Sequence, residues 1–183
     1  MDGGGIDTVV ASSAAPLYVL PDFVENLTLA PGAGNLKGEG NNLANVLTGN
    51  EGSNVLNGED GNDTINGGAG NDTVIGASGD DVINVSVGND VVLFATQIDG
   101  HDVITGFDGN PIGGQDTVDL SFLFSGLGIA SADRPSHVML VDSGPSVDVR
   151  VDEDNNLLNG YETTVATIQT TDPVTIGQDV ILG

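Results

Sequence analysis

Five consecutive nine-residue units occupy residues 49–93 of this 183-residue chain. A fixed period constrains the fold strongly, because every unit has to adopt the same local structure. Position 4 of each unit is glycine, position 6 is asparagine once and aspartate four times, and position 8 is always aliphatic. The position-8 residues are Leu56, Ile65, Val74, Ile83 and Val92. The units therefore predict one turn and one inward-facing side chain in every nine residues.

This combination of glycine, aspartate and one aliphatic residue is typical of a parallel β-helix that binds calcium between its turns. Glycine at position 4 adopts backbone conformations that other residues avoid, and it leaves room for carbonyl groups to approach an ion. Calcium takes about six to eight oxygen ligands, including carboxylates and backbone carbonyls. One aliphatic side chain per nine residues makes a thin core, so bound ions have to supply much of the stability.

The third unit, Gly67–Ile75 (GGAGNDTVI), and its neighbours resemble the RTX (repeat-in-toxin) family of Gram-negative bacteria. The resemblance implies that two nonapeptides form one turn of a parallel β-roll. It also implies that each calcium ion lies between the turns of units n and n+2, bound by position-6 aspartates and by backbone carbonyls. Family members leave the cell through a type I ABC exporter that reads an uncleaved C-terminal signal, so the resemblance implies a secreted or cell-surface protein.

The resemblance stacks alternate units, so the position-6 residues should form two columns. One column is Asn54, Asp72 and Asp90, and the other is Asn45, Asp63, Asp81 and Asp102. A complete site needs aspartates from two stacked turns, which predicts three or more calcium ions, at Asp63/Asp81, Asp72/Asp90 and Asp81/Asp102. The remaining predicted site residues are Asn54, paired with Asp72 in a weaker site, Asp116 from a later copy of the repeat, and the position-4 glycines Gly61, Gly70, Gly79 and Gly88. One such turn alone would indicate a plain β-turn, but five turns in phase favour ion binding.

Residues 41–49 (NNLANVLTG) keep Asn45 and Leu47 at positions 6 and 8 but carry Leu43 at position 4. We expect a coil without calcium there, in which asparagine amides replace ion-bound carboxylates. Two further groups lie outside the ligand pattern. We expect solvated turn residues, or groups behind the ligands, at Asp60 and Asp80, and surface or strand residues at His101 and His137.

The nonapeptide pattern ends before residue 121. An apolar cluster at Phe122–Leu127 indicates one helical turn. Three alternating segments, His137–Asp142, Ser146–Asp152 and Tyr161–Gln169, are separated by turn-forming residues and predict an antiparallel meander. We expect one more strand over Val174–Leu182, and the last five residues (DVILG) resemble the ends of type I-secreted adhesin-like proteins.

These patterns predict an all-β fold, a calcium-bound parallel β-roll continued by a small antiparallel β cap at the C-terminal end. We predict three regions. Residues 1–48 hold degenerate repeats and the N-terminal strands of the roll, residues 49–120 form the calcium-binding roll, and residues 121–183 form the cap and the secretion signal region. Gly5, Asp7 and Val9 match positions 4, 6 and 8, which suggests the end fragment of a longer repetitive protein.

The charge balance restricts the partners. The chain has 27 acidic residues against three basic ones, a net charge of −24. Nucleic acid and anionic membranes both require a basic face. An acidic excess alone would indicate solubility or disorder, but aspartate recurring at one phase favours cation binding. The chain contains no cysteine, and it has no apolar run of about 18 residues that could span a membrane.

Neither an H-E-x-x-H nor a G-x-S-x-G motif occurs in the chain, so we predict that it is not an enzyme. The preferred interpretation is the non-catalytic C-terminal module of a secreted RTX protein, such as a large adhesin, that directs type I secretion and folds as a monomer on binding calcium outside the cell. Two alternatives remain open. One is the RTX tail of a secreted protease, lipase or epimerase, and the other is a module that binds glycan or a surface.

Overall fold

The computed structural model of the protein describes residues 4–12, 15–95, 100–109, 115–151, 163–170, 173–175 and 177–183. Within these ranges the regular secondary structure is almost entirely β-strand, with one α-helix, α1 (Ser121–Leu127), and one short 3-10 helix (Arg134–His137). The strands are β1 (Thr8–Ala11), β2 (Leu17–Val19), β3 (Asn26–Leu29), β4 (Lys37–Asn41), β5 (Val46–Thr48), β6 (Val55–Glu59), β7 (Thr64–Asn66), β8 (Thr73–Ile75), β9 (Val82–Asn84), β10 (Val91–Leu93), β11 (Asp102–Thr105), β12 (Thr117–Asp119), β13 (Val138–Asp142), β14 (Ser146–Val151), β15 (Thr163–Gln169) and β16 (Val180–Ile181).

The strands form two sheets, and the chain alternates between them from β1 to β12. One sheet has the order β1-β3-β5-β7-β9-β11-β15-β14-β13, and the other has the order β16-β12-β10-β8-β6-β4-β2. Neighbouring strands of the roll pair in parallel, as β7 does with β5 and β9. Each coil therefore contains two nonapeptides, and the predicted parallel β-roll with an antiparallel C-terminal end is confirmed.

The strand register places equivalent repeat positions directly above one another. In one sheet Leu47 pairs with Ile65 and Ile65 pairs with Ile83, 18 residues apart. In the other sheet Leu56 pairs with Val74. All these position-8 side chains are fully buried, as are the other members of both rows. The predicted inward position is confirmed.

A three-residue strand buries only its central side chain, because successive residues point to opposite faces. Strand β9 shows this pattern: Val82 is exposed, Ile83 is buried and Asn84 is half-buried. The roll is therefore a thin core between two narrow sheets, and its side walls are turns.

The roll continues into the irregular residues before the five units. Strand β3, at the position of the predicted strand Val24–Leu29, pairs in parallel with both β1 and β5. Spacing between coils here departs from 18 residues, since Leu27 pairs with Leu47. Gly38 replaces an inward aliphatic residue, and the Leu27 side chain lies 2.6 Å from the position a Cβ of Gly38 would occupy.

Beyond the roll, the predicted helical turn is α1, which buries Leu123 and Phe124. Strands β13, β14 and β15 form the predicted antiparallel meander, although Asp152, Tyr161 and Glu162 lie outside the described residues. Strand β15 then pairs in parallel with β11, and β16 pairs with β12. The cap therefore extends both sheets of the roll.

Two predictions for this region are wrong. The strand expected over 174–182 is limited, among the described residues, to Val180–Ile181, because the preceding residues form a turn in which the Gly177 N–H donates to the Val180 carbonyl. His137 is neither on the surface nor in a strand, because it ends the 3-10 helix and is 1% exposed. No helix in the described part of the chain is long and apolar enough to cross a membrane.

Candidate metal centre

The position-6 side chains lie in two buried columns, one along each sheet. Each residue immediately precedes a strand or begins one, so the register of the strands stacks these side chains as well. None is more than 1% exposed. The columns are Asn45, Asp63, Asp81 and Asp102 along the first sheet, and Asn54, Asp72, Asp90 and Asp116 along the second.

A ladder of hydrogen bonds connects the members of each column. The Asn45 N–H donates to Oδ1 of Asp63 at 2.7 Å, and the Asp63 N–H donates to Oδ1 of Asp81 at 2.7 Å. The Asp81 N–H continues the ladder to Asp102 at 3.0 Å. The second column repeats this arrangement, with distances between 2.7 and 2.9 Å. The structure therefore brings together every pair of position-6 residues that the sequence predicted.

The second carboxylate oxygen is available for another partner. Oδ2 of Asp63, Asp72 and Asp90 is buried and accepts no hydrogen bond. Leaving a buried polar atom unpaired costs on the order of 1–3 kcal/mol, and more for a charged group. Such repeated cost at one position indicates that a cation completes the arrangement.

Position-1 glycines leave space beside these oxygens. A Cβ at Gly58 would collide with Oδ2 of Asp63 and would lie 2.6 Å from the Gly76 carbonyl oxygen. At Gly67, the position of a Cβ lies 2.7 Å from Oδ2 of Asp72. Carboxylate and carbonyl oxygens are the ligands that calcium prefers. The donor set therefore fits a calcium ion.

Burial of the aspartates changes their acid–base behaviour. Desolvation raises the pKa of Asp63 and of Asp90 to about 7, and neighbouring aspartates contribute to both shifts. Desolvation likewise raises the pKa of Asp72 to about 6 and that of Asp116 above its usual value. The columns therefore resist a full negative charge unless a cation accompanies it.

Carboxylates alone do not form the site. Within the described ranges, no three side chains among His, Cys, Asp and Glu lie close enough together to hold a metal ion. Any ion between the turns must take several backbone carbonyls as ligands. Carbonyl-rich coordination suits calcium and disfavours transition metals, which prefer nitrogen or sulfur.

The position-4 glycines are required for two reasons. Gly61, Gly70 and Gly79 have φ values of 123°, 105° and 141°, a region that other residues rarely adopt. Gly88 does not share this conformation, but a Cβ there would collide with the Gly70 carbonyl. The close approach of consecutive turns therefore requires glycine even where the dihedral angle does not.

Position 2 is a feature that the sequence analysis missed. Its backbone is also left-handed, with φ of 72° at Glu59, 96° at Gly68, 71° at Ala77 and 62° at Ser86. The signal was present in the third unit, where Gly67 and Gly68 are adjacent. Glu59, Ala77 and Ser86 hold side chains in a conformation that costs about 1–2 kcal/mol each.

The position-5 residues form an outer ladder that is separate from the ligand columns. Oδ1 of Asn62 accepts the Asp80 N–H at 3.2 Å, and Oδ1 of Asp80 accepts the His101 N–H at 3.0 Å. Asp60 and Asp80 are exposed, as expected for turn residues. His101 also places Nε2 at 3.0 Å from Oγ1 of Thr167, a contact between the roll and the cap.

Asp116 differs from the other members of its column. Its Oδ1 accepts the Asp90 N–H and its Oδ2 accepts the Asp108 N–H, at 2.9 and 2.8 Å. Asp108 thus acts here through its backbone, and Gly114 lies outside the described residues. Both oxygens of Asp116 already have partners, so this end of the column is less suited to an ion than the Asp72/Asp90 pair.

Comparison with known proteins agrees with this geometry. The family model of the RTX calcium-binding nonapeptide repeat matches residues 39–74 and 58–92, with four copies of the repeat. The matched segments include the stacked turns at Asn45, Asn54, Asp63, Asp72, Asp81 and Asp90. No curated protein matches the chain. The repeats are therefore of the RTX calcium-binding type, which is characteristic of secreted proteins.

Proposed function

We propose that the chain is a non-catalytic module of a secreted RTX protein that folds when calcium binds between its stacked turns outside the cell. The observation that carries the proposal is the row of buried aspartates whose Oδ1 atoms hold the ladder, while Oδ2 of Asp63, Asp72 and Asp90 has no hydrogen-bond partner. The proposed ligand pairs are Asp63/Asp81, Asp72/Asp90 and Asp81/Asp102, with weaker sites at Asn54/Asp72 and Asp90/Asp116, so that three or more ions bind.

Calcium would supply positive charge where the chain has almost none. Residues 58–120 contain twelve acidic residues and no lysine or arginine. Without ions, repulsion within the columns and the entropy of the glycine-rich turns oppose folding. Ions that bind only the folded roll stabilise it by mass action. The aspartate-containing coils would stay unfolded at low cytosolic calcium and fold at extracellular concentrations, about 10⁻⁴–10⁻³ M.

Adjacent aspartates offer a matched test. Asp81→Asn removes the charge of a residue shared by two proposed sites, but it keeps an Oδ1 that accepts the Asp63 N–H. Asp80→Asn removes the same charge from the exposed neighbour and keeps the acceptor for the His101 N–H. Calcium titrations followed by circular dichroism and calorimetry should show a midpoint raised about tenfold or more, with fewer bound ions, for Asp81→Asn only.

The titration also has outcomes that would contradict the proposal. A β-rich spectrum in chelator equal to that in calcium would show that the roll does not need the ion. Equal shifts for the two variants would show that overall charge, and not the buried column, controls folding.

We further propose that residues 121–183 serve as the region read by a type I ABC exporter and as a cap, within a monomeric adhesin-type protein of a Gram-negative bacterium. The attachment of β15 and β16 to the last strands of both sheets supports the capping role, because it covers edges that would otherwise be open. Deleting residues 121–183 should abolish export and raise the calcium concentration needed for folding. Normal export of the truncated chain would refute the first role, and an unchanged folding midpoint would refute the second.

The alternatives predict different observations. The tail of a secreted enzyme would require a catalytic domain in the same polypeptide, which the gene would reveal. A glycan-binding module would present aromatic side chains in a groove. An open cleft of about 450 Å³ in the cap is lined by Leu140, Asp142, Val147, Val174 and other residues, and none of the described residues that line it is aromatic. The calcium columns therefore support the folding role better than this cleft supports a sugar site.

A further inference from the structure

Two pairs of asparagines occupy the turns just before the aspartate columns. They are Asn41 and Asn45 in one nonapeptide and Asn50 and Asn54 in the next, at positions 2 and 6 in both. All four amide side chains donate hydrogen bonds to carbonyls of the preceding coil. These carbonyls belong to turns equivalent to those that would supply calcium ligands further along the roll.

The first pair holds the turn at residues 21–25. Nδ2 of Asn41 donates to the Pro21 and Val24 carbonyls at 2.9 and 2.8 Å. Nδ2 of Asn45 donates to the Val24 and Glu25 carbonyls at 3.3 and 3.2 Å, while its Oδ1 accepts the Asn41 N–H at 2.7 Å. Two neutral amides therefore satisfy carbonyls of this turn without a cation.

The second pair repeats this geometry nine residues later. Nδ2 of Asn50 donates to the Ala30 and Gly34 carbonyls, both at 3.1 Å. Nδ2 of Asn54 lies 3.4 Å from the same Gly34 oxygen, and its Oδ1 accepts the Asn50 N–H at 2.9 Å. Repetition on both sheets indicates a device that belongs to these coils and not a single accidental contact.

Position 2 changes its backbone conformation together with its residue type. In the aspartate units it is left-handed at Glu59, Gly68, Ala77 and Ser86, whereas neither Asn41 nor Asn50 has a positive φ. The turn thus has two versions. In one, position 2 has a left-handed backbone and position 6 is an aspartate. In the other, position 2 is an asparagine whose amide reaches the preceding coil.

The two segments also differ in charge. Residues 24–57 carry three acidic residues, Glu25, Glu39 and Glu51, against Lys37, a net charge of −2, whereas residues 58–120 carry −12. The core of this segment consists of the buried leucines Leu27, Leu29, Leu36, Leu47 and Leu56. This core is no larger per coil than that of residues 58–120, so the weaker repulsion is what reduces the need for a cation.

We propose that the amides of Asn41, Asn45, Asn50 and Asn54 take the place of calcium in residues 24–57, which therefore fold without the ion and provide a formed edge for the calcium-dependent coils. The second clause rests on the function proposed above. Strand β5 then presents its edge to β7, and β6 presents its edge to β8. Calcium would extend a roll that already exists and would not have to start one.

Hydrogen exchange of the full chain, followed by mass spectrometry, tests this. In chelator, amides of β3 to β6 within residues 24–57 should exchange at least about tenfold more slowly than amides within 64–93. In millimolar calcium both segments should be protected. Equally fast exchange of the two segments in chelator would overturn the inference. Protection of residues 24–57 in chelator would uphold the inference even if residues 64–93 gained no protection in calcium. That lack of protection in 64–93 would refute the proposed function.

Variants distinguish the effect of losing the amide donors from the effect of adding negative charge. The double variant Asn45→Asp, Asn54→Asp replaces two donors by carboxylates and should lose the protection of 24–57 in chelator. The control Asn62→Asp, Asn71→Asp adds the same charge at exposed position 5 and keeps both Oδ1 acceptors, so protection should persist. Asn50→Ala, which adds no charge, should expose residues 30–57 in chelator. Unchanged protection in Asn50→Ala, or equal loss in the control, would overturn the role of the amides.

Discussion

Two substitutions, one at a buried residue and one at its exposed neighbour, measure how core packing changes the calcium concentration needed for folding. Ile83 is fully buried, and it lies in register between Ile65 and Ile104. Val82, the preceding residue of the same strand, points outward and is 45% exposed. We compare Ile83→Ala with Val82→Ala in a calcium titration of the full chain.

The expected shift follows from two magnitudes. Truncating a fully buried isoleucine to alanine costs about 2–5 kcal/mol, and we take about 3. A tenfold rise in calcium stabilises the folded state by about 1.4 kcal/mol for each ion bound only by that state. With the three proposed ions, about 4 kcal/mol is gained per decade. The Ile83→Ala midpoint should therefore rise by about 0.7 decade, or roughly fivefold.

Exposed Val82 should behave differently. A surface truncation costs about 0.5 kcal/mol, which corresponds to a midpoint shift below about 1.5-fold. Circular dichroism at buffered free calcium concentrations measures both midpoints. Equal shifts for the two variants would refute the reasoning, because burial of one residue per nonapeptide would then contribute nothing specific. A change in steepness for Ile83→Ala would indicate that a coil has detached with its ion.

Two further predictions use the same titration. The ion-free folded state holds Asp63 and Asp90 at pKa about 7 and Asp72 at about 6, against an ordinary value of 3.8, so it binds more protons than the unfolded chain between about pH 4 and 7. In chelator, the folded fraction should therefore rise as pH falls through that window. In calcium, the midpoint concentration should rise as pH falls, because protons compete with the ion. A chelated chain that is more folded at pH 7.5 than at pH 4.5 would contradict this. Ala77→Gly should relieve a left-handed φ of 71° and lower the calcium midpoint by about 1.3- to 2-fold. Ala69→Gly, at a residue without positive φ, should raise it instead, and a shift in the same direction for both glycines would show that strain at position 2 is not the cause.

The regular part of the roll was predictable because its nine-residue period follows from the geometry of a short strand and a turn. A strand of three residues has one inward side chain, so Ile65, Val74 and Ile83 could be assigned to the core from spacing alone. The same register stacks Asp63 on Asp81 and Asp72 on Asp90. Once one coil is assigned, the others follow, and both columns could be written from the sequence except for Asp116, which joins Asp90 from 26 residues further along the chain.

The irregular parts were less predictable for physical reasons. The burial of His137 depends on packing within the cap, which no local pattern encodes. The short strand Val180–Ile181 exists only because β12 offers an edge for pairing. Left-handed backbone at Glu59, Ala77 and Ser86 was hidden because tertiary contacts hold those side chains in a conformation that only glycine adopts readily.

The two versions of the turn share one backbone ladder, and this explains how they stack in a single roll. The Asn45 N–H donates to Oδ1 of Asp63 just as the Asp63 N–H donates to Oδ1 of Asp81. Asn45 joins the ladder through its backbone N–H, while its own Oδ1 accepts the Asn41 N–H, so the junction between asparagine and aspartate turns interrupts neither the ladder nor the sheet. Asparagine and aspartate differ at the second atom of the side chain, which is a donor in one and a buried acceptor in the other. The residue at position 6 therefore sets whether this atom donates or needs a partner, and position 2 supplies the second amide in the asparagine turns.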